Sequence, residues 1–160
     1  MDISHWAELA AFLGAGISMG FGAIGSGIGE GYTAEKACEG IGRQPSAAGD
    51  LLRIMLVGQA MAETTGIFSL IVTLLLIFQN FSQASFIQIP AYFSAGLCMG
   101  AGALGPGIGN GMTAGKACEA IARNPETAPL MMRIMLIGQA VSQSTGIYSL
   151  VVSLLLIFVV

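Results

Sequence analysis

Gly58-Gln59-Ala60-Met61-Ala62-Glu63-Thr64-Thr65-Gly66-Ile67-Phe68-Ser69 and Gly138-Gln139-Ala140-Val141-Ser142-Gln143-Ser144-Thr145-Gly146-Ile147-Tyr148-Ser149 are one motif written twice, eighty positions apart. The first copy lies in an apolar run from Ile54 to Phe78, long enough for a helix to cross a bilayer. It carries an acid near its centre where the second copy carries an amide. An ionisable side chain at bilayer depth is expensive and by default marks a functional site with a partner to be found. Glu63 is therefore the leading candidate, and the second copy, with Gln143, cannot do what Glu63 does.

The duplication extends well beyond the motif. With residues 11–79 laid on 91–159, about 40 of 69 positions are identical, which predicts two copies of one structural unit in parallel arrangement. Each unit reads as a helical hairpin. The expected helices are Trp6–Gly42, Ala48–Phe78, Ile87–Ala122 and Ala128–Phe158, so the fold class is an all-α membrane protein of two tandem transmembrane hairpins. The first hairpin spans residues 1–80 and holds the carboxylates; the second spans 81–160 and lacks the deep one. Composition agrees with lipid as solvent: 54% of residues are apolar, 9% are charged, and mean hydropathy is +0.78.

Charge sets the expected orientation. Lys36, Arg43, Arg53, Lys116, Arg123 and Arg133 are the six basic residues, and all fall in or beside two polar stretches around Pro45 and Pro125. The positive-inside rule places those stretches in the cytoplasm, with both termini and the link from Asn80 to Gln88 on the opposite side of the cell membrane. Asp2 and Glu8 without a basic neighbour argue against a cleaved signal peptide. Cys38, Cys98 and Cys118 have no metal-site spacing and read as structural. A net charge of −3 and the lack of a basic patch with interleaved aromatics exclude a nucleic-acid partner.

The first helix of each unit is dense in glycine, from Gly14 to Gly31 and from Gly96 to Gly111. In membranes, small residues let backbones approach closely, so the expectation is a tight inner ring of such helices. Gly20-x-Gly22-x-x-Gly25 and Gly100-x-Gly102-x-x-Gly105 match a dinucleotide fingerprint, but that motif has meaning only between a strand and a helix. No cofactor is expected. Pro106 should strain the third helix unless neighbours accommodate it. Gln59 and Gln139, present in both copies, should make interhelical hydrogen bonds, and His5 and Trp6 should anchor at the interface.

The Gly-rich first helix, the loops Arg43-Gln44-Pro45 and Arg123-Asn124-Pro125, and the segment Ala62-Glu63-Thr64-Thr65-Gly66-Ile67 together resemble the proteolipid that builds the rotor of F-type ATP synthases, their c-subunit. The usual c-subunit is one hairpin, whereas this chain has two, as in V-type rotor proteolipids. The resemblance implies a non-catalytic member of a homo-oligomeric ring that carries ions past the stator's a-subunit. Its loops, Arg43, Gln44 and Pro45 with Arg123, Asn124 and Pro125, would contact the central stalk. It also implies a site shared between adjacent hairpins. Glu63 and Glu30 come from the first; the Val141 carbonyl, Ser144, Thr145 (holding a water) and Tyr148 come from the second. The reciprocal set, Gln143 and Asn110 with the Met61 carbonyl, Thr64 and Phe68, has no carboxylate and no phenol. The sequence leaves open whether the complete set forms within one chain or between chains.

Glu30 stands where sodium carriers of the family have Gln. Two carboxylates in one membrane site cannot both ionise cheaply, so one is expected to keep its proton while the other binds Na+. Proton transport is the alternative, since a proton carrier would need only an acceptor and would leave Ser144 surplus. A small oligomeric channel is a further alternative, against which stands the gathering of the deep polar residues at one level.

Overall fold

The structure, a computed structural model, describes residues 2–159; Met1 and Val160, the outer ends of the two expected hairpins, lie outside the described residues. Four helices occupy nearly all of it: α1 (Ile3–Arg43), α2 (Ala48–Ile77), α3 (Gln88–Arg123) and α4 (Ala128–Phe158). Each falls within a few residues of its expected bounds, and there is no strand among the described residues. At 30 to 41 residues the helices are roughly 45 to 60 Å long, longer than the ~30 Å hydrocarbon core. Three of them, α1, α2 and α4, are long and apolar enough to cross a membrane. The fourth, α3, packs against all three others, most extensively against α1.

Both hairpin turns have one cause. Pro45 and Pro125 cannot continue a helix, and each pushes the residue before it out of the helical region: Gln44 to φ −137°, ψ 77° and Asn124 to φ −144°, ψ 93°. The amides of these residues still bond back to Gly40 and Ala120, and a single 3-10 turn leads into the return helix. Glu39 takes Lys36 and Arg43, and Glu119 takes Lys116 and Arg123, on the exposed projecting ends. Exposed pairs of this kind add about 0–1 kcal/mol each, so they keep the ends soluble more than they hold the fold. At the far end, Phe81 of the link sits edge-on between Phe12 and Tyr92, tying the connection to α1 and α3.

The helices form two layers. In the inner layer α1 and α3 run parallel and touch backbone to backbone: a Cβ added to Gly25 would lie 2.7 Å from Leu104 Cα, and one at Gly107 would lie 2.7 Å from the Gly25 carbonyl carbon. Gly96 meets Gly14 and Gly111 meets Gly29 in the same manner. Thr33 Oγ1 donates across this seam to the Gly111 carbonyl at 3.0 Å. In the outer layer, α2 covers the groove between α1 and α3 while α4 lies on α3. Repeat-equivalent hydrogen bonds fasten the layers, with Thr73 donating to the Ala15 carbonyl and Ser153 to the Ala95 carbonyl. The dinucleotide-like glycines are mid-helix, as expected of packing residues, and α3 passes through Pro106 without interruption.

One prediction follows from the seam. Gly107→Val should destabilise the isolated chain by about 3 kcal/mol or more, because the added atoms meet backbone that cannot yield. Gly27→Val, at the equivalent position of α1 where a Cβ meets nothing within 4 Å, should hardly change the thermal melt of the detergent-solubilised chain.

Candidate functional site

Glu30 on α1 and Glu63 on α2 line one cleft of about 320 Å³, together with Met19, Ser26, Gly66 and Ile67. The cleft's lining comes from α1 and α2 alone, with no residue of the second hairpin. Local structure fixes the pair: Gln59 Nε2 donates to the Glu30 carbonyl at 3.2 Å, and Gly66 gives α2 the room to close on Ser26. Glu63 is exposed, Glu30 is half-buried, and no basic side chain pairs with either among the described residues. No cluster of three His, Cys, Asp or Glu side chains exists among those residues either. Any cation held here must use carbonyl and hydroxyl oxygens beside the acids.

The chain does not bring the second hairpin's donors to this cleft. Val141 is 69% and Tyr148 65% exposed, and Thr145 is exposed as well, on the free face of α4. Ser144 Oγ donates to the Val141 carbonyl at 2.8 Å, so those two oxygens already stand side by side. Of the reciprocal set the chain brings together Asn110, Gln143 and the Met61 carbonyl, whereas Thr64 Oγ1 donates to the Ala60 carbonyl of its own helix. Asn110 Nδ2 donates both to the Met61 carbonyl of α2, at 3.2 Å, and to Gln143 Oε1 of α4, at 2.8 Å. Gln139 Nε2 donates in turn to the Asn110 carbonyl at 2.9 Å, the counterpart of the Gln59 bond. Gln59 and Gln139 thus make the interhelical bonds expected of them. Thr65 and Phe68 of α2 pack at Gly146, one turn from Gln143.

Two features of the site are scarcely marked in the sequence. Ser26, a lining residue of the acid cleft, is distinguished only by its replacement with Pro106 in the copy. The double donation by Asn110 leaves no sequence signal at all, because it depends on which hairpin face α2 meets.

Two parallel membrane hairpins with glycine-seamed inner helices and a lone deep acid on an outer one define a membrane proteolipid of the kind that works in oligomers. The profile of the ATP synthase C-subunit family matches residues 13–76 and again 93–156, and the chain belongs to that family. It is similar to the ATP synthase c-subunit of Alkaliphilus oremlandii, 56% identical over 71 residues, which cover 44% of this chain and 80% of the relative. The ATP synthase c-subunit of Mesomycoplasma hyopneumoniae (strain 7448) is 48% identical over 87 residues, covering 51% and 85% respectively. A further relative, ATP synthase c-subunit 2 of Cereibacter sphaeroides, is 47% identical over 73 residues, covering 46% and 88%. Each match spans about half of this chain, which fits a duplicated c-subunit. Members of the family are non-catalytic membrane proteins that assemble into a rotor ring and carry ions.

Proposed function

We propose that this chain carries Na+ round the ring on Glu63, one ion for each four-helix chain, with Glu30 holding the companion proton that leaves the loaded site neutral. The observation that carries this reading is the single cleft lined by both acids, with no basic side chain paired to either among the described residues. Val141 O and Ser144 Oγ, with a water held by Thr145, add the hard oxygens that a sodium ion takes, and Tyr148 braces the Glu63 carboxylate. A ring carrying only H+ would need one acceptor for the protonated acid and would have no use for the adjoining carbonyl and hydroxyl.

In this reading the ring turns against the stator's a-subunit in the cell membrane. The projecting loops, Arg43-Gln44-Pro45 and Arg123-Asn124-Pro125, face the cytoplasm and the central stalk, and both termini lie on the other side. Support comes from the basic residues gathered at that one end of the helices.

Reaction of Glu63 with a hydrophobic carbodiimide tests the reading. Na+ should protect Glu63 at neutral and mildly acidic pH; protection by raised pH alone, with no response to Na+ at any pH, would establish a proton ring. Tyr148→Phe should weaken the protecting effect of Na+ about fivefold, the equivalent of the roughly 1 kcal/mol net value of one hydrogen bond. Unchanged Na+ protection in that variant would remove Tyr148 from the site.

A further inference from the structure

Equivalent positions of the two hairpins differ in burial, and they do so in register. Thr65 is fully buried whereas Thr145 is exposed; Met61 and Phe68 are half-buried whereas Val141 and Tyr148 are exposed. On the other side of the junction, Asn110 and Gln143 are buried, whereas Glu30 is half-buried and Glu63 exposed. The inner helices repeat the pattern. Gly96, Gly100, Gly107 and Gly111 of α3 press on α1, while their counterparts Gly16, Gly20, Gly27 and Gly31 meet nothing within 4 Å. Gly58 closes on Ala114, but its counterpart Gly138 is exposed and meets only Thr113 of its own hairpin, at 3.7 Å.

One face of each hairpin is therefore used within the chain and its equivalent is left over, at opposite flanks. The step from the first hairpin to the second is a contact between unlike surfaces, and such a contact, applied again, adds another copy and closes into a ring when the rotation allows. Within the chain that step puts the Met61 carbonyl beside position 143 and the side chain at position 110. Applied again, it puts Val141 of one copy beside Glu63 and Glu30 of the next.

We propose that the Glu63 site is completed only across the boundary between two copies of this chain, and that the junction inside the chain is a permanent amide clasp in which the Asn110 NH2 group takes the cation's place. This rests on the carrier reading of Glu63 and adds its partner. The clasp uses the two oxygens that the equivalent site would offer an ion, the α2 carbonyl and the side-chain oxygen at the acid position, and fills the space between them with two N–H donors. It needs no ion. The junction between copies has a carboxylate at each of those two side-chain positions, Glu30 and Glu63, and no amide NH2 to stand between the oxygens, so it closes on a cation or protons.

Two measurements on the intact ring test this. In a chain whose three native cysteines are replaced, Ala34→Cys with Gly138→Cys should give a ladder of disulfide-linked multimers. Those positions correspond to Ala114 and Gly58, which lie in direct contact, closer than the ~3.5–4.5 Å Cβ spacing of a disulfide, so a slight parting of the two helices brings a cysteine pair there into bonding range. Linked monomers only, or no linkage, would overturn the proposal whatever ion is carried. The second measurement mixes two variants, E63Q and the double variant S144A with Y148F, in one ring. Each variant is defective alone, but a junction between the intact Glu63 flank of one and the intact α4 flank of the other is whole. About half of the Glu63 residues should then regain wild-type Na+ protection from carbodiimide when the chains mix at random. Uniformly weak protection in the mixed ring, beside full protection in the wild type, would overturn the shared site. Absence of Na+ protection in the wild type would instead defeat the sodium reading, and the disulfide ladder would still decide the junction.

Discussion

Glu63→Gln should abolish Na+-coupled ATP hydrolysis in the assembled enzyme, while Gln143→Ala should leave it within about twofold of the wild type, the modest effect typical of a change outside the working site. The first substitution keeps the shape of the side chain and removes the only deep charge on α2, so each chain loses its carrier. The second removes one acceptor from the amide clasp. Asn110 Nδ2 keeps the Met61 carbonyl at 3.2 Å, so the clasp is weakened rather than lost. Its cost, about 1–3 kcal/mol for a buried polar group left short of a partner, falls on the stability of the chain and not on transport. Na+-dependent hydrolysis and Na+ uptake into inverted vesicles would read the difference. Comparable losses of coupling from both substitutions would mean that the second junction also carries ions.

How far the sequence reveals this molecule depends on the kind of information each feature needs. The helices are legible because Pro45 and Pro125 stop them locally and the apolar runs exceed a bilayer's thickness. The repeat is legible because it is written in identities such as Gly58 with Gly138 and Gln59 with Gln139. The candidate residues are legible one by one, since Glu63 stands out at bilayer depth and Gln143 stands in the same place without charge. Their grouping is not. Whether α2 offers its Met61 carbonyl to α3 and α4, or α4 offers Val141 to α1 and α2, follows from which glycine face of α1 meets α3. Both faces are glycine-rich, and no single-residue property separates Gly25 and Gly29, which are used, from Gly27 and Gly31, which are free.

An enzyme whose ring is built from this chain alone should move about half as many ions per ATP as one with a ring of the same circumference made from single hairpins that each hold a site. The reason is a count of carriers. Each chain contributes four helices and, midway along its two outer helices, one acid, Glu63, because the equivalent position is Gln143, locked to Asn110. With one ion per chain, as proposed, the number of ions crossing per turn is the number of chains, while the number of ATP molecules per turn is set by the catalytic head and does not change with the ring. Moving one charge against 100 mV costs about 2.3 kcal/mol. Halving the ions per ATP therefore about doubles the gradient that hydrolysis can sustain, and equally doubles the gradient that synthesis requires. The expected enzyme is an ATP-driven sodium exporter that makes ATP only under a high driving force. In proteoliposomes, the ratio of Na+ moved to ATP hydrolysed should match the number of chains in the ring, as given by the mass of the intact ring, divided by the ATP used per turn. A ratio matching the number of hairpins would show that Gln143 and its neighbours carry an ion after all, and the amide clasp would then have to open once in every revolution.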